Sequence, residues 1–92
     1  SVQEVIDGIK LLAATEGIFA ETAGGVVISG LKRLAEAGTF EAGKTVVAFI
    51  TGAGLKTQEA VADHVIRPIH VAPTMASFEE AAGDRLRVAV PA

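Results

Sequence analysis

The sequence predicts an α/β fold, with helices packed on a small, mostly parallel sheet that forms part of a larger open-sheet architecture. Three observations point there. The stretch Lys44 to Thr57, KTVVAFITGAGLKT, runs five apolar residues, Val46 to Ile50, straight into a Thr51-Gly52-Ala53-Gly54 turn. An uninterrupted apolar run of this length reads as a strand covered by helices on both faces, since such a strand needs no polar alternation. Two amphipathic helical runs precede it. Half of the 92 residues are hydrophobic but only 4% are aromatic, so the apolar volume is aliphatic, which suits helix-on-sheet layers.

In chain order, Val2, Val5, Ile6, Ile9, Leu12 and Ala13 fall at helical spacing, with Gln3, Glu4, Asp7 and Lys10 opposite. Residues 2 to 14 are therefore expected to form an amphipathic helix, weakened at Gly8 by roughly 1 kcal/mol relative to alanine. Gly17 interrupts the pattern. A second helix then sets Ala23, Val27, Leu31, Leu34 and Ala35 along one stripe, with Thr22 as its N-cap and Gly38 as the residue just past its end. The apolar run follows as a strand, then a short helix from Thr57 or Gln58 to about His64. Ile66 to Val71 could form a second strand, which Pro68 restricts to an edge or a strand start. Ser77 and Glu80 fit the capping box of a short helix ended by Gly83, and the alternation of Leu86, Val88 and Val90 predicts a last strand stopped by Pro91. Residues 1 to 92 read as one unit with no internal repeat, in which 65 to 92 carry no recognisable motif.

Composition narrows the function. Eight basic and 11 acidic residues give a formal charge of −3, and no cationic cluster exceeds Lys32-Arg33, which disfavours nucleic acid as a partner. The absence of cysteine removes disulfides and thiolate metal sites. No apolar run approaches the ~20 residues that span a bilayer, and a cytoplasmic location is expected. The chain opens at Ser1 with a helix under way at once, as expected of a segment from a longer polypeptide. His64 and His70 stand six apart with no carboxylate cluster to complete a metal set. Asp63 and His64 are adjacent on a helical stretch and so do not face each other. Glu79 and Glu80 suit a solvated helix start, and Lys56 is the one lysine that could sit at the mouth of a site, although a lysine after a Gly turn is more often a surface residue.

Two stretches can carry chemistry. At Thr51-Gly52-Ala53-Gly54 a hydroxyl ends the apolar run, suited to a ring nitrogen or phosphate oxygen, while the glycines allow close approach or a turn of positive φ. At Glu16 to Val26, EGIFAETAGGV, Thr22 and paired Gly24-Gly25 place small residues in a first helical turn, open to a ligand or to another helix, with packing the commoner cause.

Together these stretches resemble the C-terminal part of threonine synthase, a pyridoxal-phosphate enzyme of the tryptophan synthase β-like fold. EGIFAETAGGVVISGLKRLAEAG followed by TVVAFITGAGLKTQEAV carries the resemblance over residues 16 to 61, and the helix at 2 to 14 fits the segment before them. The resemblance implies an enzyme that converts O-phosphohomoserine and water to threonine and phosphate, with pyridoxal phosphate held between two α/β domains. It implies that Thr51 contacts the cofactor's pyridine nitrogen, that Gly52 and Gly54 shape that turn, and that Glu21 and Thr22 lie near cofactor or substrate. The family's cofactor-bonding lysine and its phosphate-binding loop belong to a region N-terminal of this one, and Lys10, Lys32, Lys44 and Lys56 do not stand in that lysine's motif. No catalytic residue or metal ligand is therefore assigned, no covalent cofactor bond is expected here, and the chain alone is expected to be inactive. The expected partners are the remaining N-terminal part of the enzyme and, for the isolated chain, other copies of itself. A threonine or serine dehydratase of the same fold, and a free-standing small α/β binding or assembly module, are the alternatives.

Overall fold

The helix expected at residues 2 to 14 forms and runs on to Glu16, burying Ile6, Ile9 and Leu12 while Val2 and Ala13 are exposed. The structure, a computed structural model, describes residues 1–89, with side chains through residue 83. Helix α1 spans Val2–Glu16 and helix α2 spans Thr22–Glu36. Ser1 Oγ accepts from the Glu4 N–H at 3.3 Å, and the Glu4 carboxylate reaches back to the first backbone nitrogen at 2.6 Å, forming a reciprocal cap. That ammonium contact, then the Ser1 hydroxyl and Arg33, hold the exposed Glu4 carboxyl down at about 2. Gly17 ends α1 in the left-handed conformation at φ 68°, its N–H on Ala13 O. Gly38, at φ 70°, ends α2 in a Schellman motif: its N–H donates to Ala35 O while the Thr39 N–H donates to Leu34 O, both at 3.0 Å.

The two helices pack directly against each other as a hairpin, and its closest point is made of glycine. A Cβ added to Gly8 would lie 2.5 Å from the Gly25 carbonyl oxygen, and one added to Gly25 would lie 2.5 Å from that of Val5. The propensity cost of Gly8 is thus offset by a backbone approach that no other residue permits. Small apolar clusters flank this crossing, one of Ile6, Ile9 and Val61 with Val5, the other of Leu12, Ala20 and Ile28 with Leu31 and Ile50. The buried face of α2 is consequently Gly24, Gly25 and Ile28 with Leu31. Of the expected stripe only Leu31 packs inward; Ala23, Val27, Leu34 and Ala35 are exposed. The glycines, not the larger side chains, set which face turns inward.

The α/β expectation is overturned. No strand forms among the described residues, and the only pairing of that kind is an isolated antiparallel bridge between Ala20 and Ala53. Val46 to Ile50 has no regular structure; Val47 and Phe49 are 70% and 78% exposed, and only Ile50 reaches the core. A strand exists through its ladder partners, and none is offered to this run. Ile66 to Val71 is likewise irregular and exposed. The short helix expected from Thr57 or Gln58 to His64 is two 3₁₀ segments, Gly54–Ala60 and Ala62–His64.

Helix α3 spans Met75–Ala89 and replaces both the short helix expected to end at Gly83 and the expected last strand through residue 89; Val90 and Pro91 lie outside the described residues. Its cap is Thr74 rather than Ser77. Thr74 Oγ1 accepts from the Ser77 N–H at 3.2 Å, and Ser77 Oγ instead accepts from the Ala72 N–H at 3.0 Å. Once started, the helix runs through Gly83, whose cost of about 1 kcal/mol is not enough to stop it. No helix of the described residues is long and apolar enough to cross a membrane.

Much apolar surface is left uncovered. The accessible surface is 7225 Å², about 2,200 Å² more than the ~5,000 Å² typical of a compact monomer of this mass. The radius of gyration is 18.1 Å, against the ~12 Å of a compact chain of this length.

Candidate functional site

The two glycine-rich stretches meet in space. The Glu21 N–H donates to Gly52 O at 3.0 Å and the Gly54 N–H donates to Phe19 O at 2.8 Å, bracketing the Ala20–Ala53 bridge. A third bond joins the Thr22 N–H to Thr57 Oγ1 at 3.1 Å in a part-buried setting. Lys56 Nζ lies 3.4 Å from Glu21 Oε2, pairing an exposed cation with a carboxylate whose side chain is only 13% exposed. The segment Phe19 to Thr22 is thereby clasped to Gly52 to Thr57 at the N-terminal end of α2.

The glycines serve this clasp by steric means. Neither Gly52 nor Gly54 has positive φ, so a turn of that kind is not what requires them. A Cβ on Gly52 would collide with the Glu21 carboxylate, and one on Gly54 with the Phe19 ring. Gly24 has a similar place: an added Cβ would meet Ala20 Cβ at 2.6 Å and Ile50 Cγ2 at 3.5 Å. The small residues in the first turn of α2 are therefore taken up by packing, Gly25 against α1 and Gly24 against Ala20 and Ile50.

Of the residues singled out from sequence, Glu21, Thr22, Gly52 and Gly54 are brought together. Thr51 sits at the edge of the clasp, exposed. Thr22 is not the N-cap of α2. Glu21 holds that position without a side-chain cap bond, Thr22 is the first helical residue, and its N–H is caught by Thr57. The sequence marks Thr57 only as a possible helix start and gives Phe19 no role. A polar residue just after a Gly-x-Gly turn was the available signal for the first. Lys56 is an exposed surface residue whose ammonium pairs with Glu21. Asp63 pairs with Arg67 rather than with His64, and no group of three or more His, Asp or Glu side chains gathers among the described residues. Thr51 lines neither of two surface depressions of about 500 and 690 Å³, one in the α1–α2 groove around Gly8 and Ser29, the other beside Phe19, Val61 and Ile66.

A lone hydroxyl at Thr51 offers one donor and two lone pairs, a set that fits a heteroaromatic ring nitrogen. No comparable cradle for a phosphate group accompanies it, because the Cβ positions missing from Gly52 and Gly54 are filled by Glu21 and Phe19.

By fold and site the chain is a helical hairpin closed by a glycine-rich clasp. Its sequence matches curated threonine synthases. It is 39% identical over 69 residues to that of Methanocaldococcus jannaschii, covering 75% of this chain and 17% of that protein. It is 43% identical over 56 residues to that of Bacillus sp. (strain ULM1), covering 61% and 16%, and 33% identical over 75 residues to that of Mycobacterium tuberculosis (strain ATCC 25618 / H37Rv), covering 79% and 21%. No protein-family model matches the chain. The chain is a threonine synthase-related segment, and it spans about a fifth or less of the length of these relatives.

Proposed function

We propose that this chain is the C-terminal portion of a threonine synthase, and that its clasped corner presents Thr51 to the ring nitrogen of pyridoxal phosphate. The observation that carries this reading is the clasp itself. The two stretches on which the sequence likeness rests, 31 residues apart from Glu21 to Gly52, are joined by hydrogen bonds into one corner with Thr51 on its rim.

The parent reaction is the conversion of O-phosphohomoserine and water to threonine and phosphate. Pyridoxal phosphate, when bound, supplies the electron sink for that chemistry. Thr51 contributes orientation through a neutral hydroxyl, which unlike a carboxylate does not hold the ring nitrogen protonated. Gly52 O fixes the Glu21 amide, and Lys56 holds the Glu21 carboxylate over Gly52, so the backbone that follows Thr51 is anchored. The phosphate cradle and the lysine that bonds the cofactor come from the rest of the enzyme. The names of the matched relatives favour threonine synthase over a dehydratase of the same fold.

Pyridoxal phosphate added to the 92-residue chain alone is expected to give no visible absorbance band stoichiometric with the chain. The same addition after co-expression with the lysine-bearing N-terminal portion is expected to give one. A stoichiometric band from the isolated chain, lost when Lys10, Lys32, Lys44 or Lys56 is replaced, would overturn the reading.

A further inference from the structure

We infer that Thr57 is a positioning residue of the Thr51 corner, acting as the N-cap of α2 from 35 residues away. The first N–H groups of a helix have no intrahelical acceptor and are normally met by the side chain at the N-cap position. In α2 that side chain is Glu21, and it makes no cap bond; its carboxylate is drawn to Lys56 instead. The Thr22 N–H is met by Thr57 Oγ1. The backbone is adapted to this contact, because the 3₁₀ segment Gly54–Ala60 is interrupted at Thr57 alone, where φ −133° and ψ 37° depart from helical values. Lys56 and Thr57, consecutive in sequence, thus grip Glu21 and Thr22, also consecutive, one by charge and one by hydrogen bond. The turn bearing Thr51 and the start of α2 are thereby coupled, so that displacing one displaces the other. The functional meaning of this coupling rests on the reading of Thr51 as the cofactor contact; the cap geometry does not.

The test compares Thr57→Val, which keeps the shape and removes the acceptor, with Thr57→Ser, which keeps the hydroxyl. In the 92-residue chain, amide hydrogen exchange at Thr22 is expected to quicken about fivefold or more in Thr57→Val, the effect of a lost cap. Exchange at Ile9 and Ile28 is expected to stay unchanged, and Thr57→Ser to restore slow exchange at Thr22. An unchanged Thr22 rate in Thr57→Val, or a rate in Thr57→Ser as fast as in the valine variant, overturns the inference. Should Thr57→Val lose its helices altogether, Thr57→Ser decides alone: slow exchange at Thr22 supports the cap and fast exchange refutes it. Cofactor retention by the co-expressed enzyme carrying Thr51→Val judges the cofactor reading separately, so failure of one is distinguishable from failure of the other.

Discussion

Replacing Gly25 by alanine is expected to destabilise the helical hairpin by about 1–3 kcal/mol, the range for overpacking a closed contact. Alanine would ordinarily strengthen a helix by about 1 kcal/mol relative to glycine. Here the new methyl would sit 2.5 Å from the Val5 carbonyl oxygen and 2.7 Å from Ile9 Cγ1. A side chain can swing aside, but a carbonyl of the facing helix can yield only if α1 and α2 separate. Separation exposes Ile6, Ile9, Leu12 and Ile28, which are most of the buried apolar residues. Gly30 provides the matched control on the same helix, with nothing within 4 Å of an added Cβ. Gly30→Ala is expected to raise stability by up to about 1 kcal/mol. Thermal unfolding followed by far-UV circular dichroism reads both. Equal shifts of the same sign would show that the helices do not meet at Gly25.

The isolated chain is expected to self-associate. Val47, Phe49, Leu55 and Ile66 are each 70% or more exposed, and α2 carries a second apolar face in Val26, Val27 and Leu34. A helix apolar on more than one side is normally covered on more than one side. The surplus of about 2,200 Å² of surface falls in the range buried by obligate interfaces. Sedimentation velocity across a hundredfold concentration range should therefore show a rising average mass. The N-terminal portion of the enzyme, the partner proposed for this surface, should replace self-association with a defined complex. A monodisperse monomer that unfolds cooperatively would mean that the uncovered residues need no partner.

What was legible in the sequence was what local physics decides. The spacing of Ile6, Ile9 and Leu12 marked the buried face of α1, and Gly17 and Gly38 marked the helix ends, because caps and periodicity depend on neighbours within one or two turns. The strand at Val46 to Ile50 was misread for the opposite reason. A continuous apolar run suggests cover on both faces, yet Val47 and Phe49 are 70% and 78% exposed, and strand structure needs ladder partners that the run does not find. The orientation of α2 was missed because the pattern weighs large apolar residues, whereas the crossing is set by the absence of side chains at Gly8 and Gly25. Leu86, Val88 and Val90 alternate over too few positions to separate a strand from a helix, and the cap at Thr74 starts a helix that runs through residue 89. Of the candidate corner, Thr22, Gly52 and Gly54 could be named from their residue types, and Glu21 only from the resemblance. Their joining could not, since the bond from Thr22 to Thr57 spans 35 residues and no local pattern encodes it.

The most direct test of the central claim is phosphate release from O-phosphohomoserine by this chain co-expressed with the N-terminal portion of the enzyme, with Thr51 intact and as Thr51→Val. The account predicts turnover with Thr51 and a loss of about 10- to 100-fold on removing the hydroxyl, the effect of one hydrogen bond to a charged or developing-charge group. Full activity in Thr51→Val, or no turnover from a folded complex carrying Thr51, would contradict it.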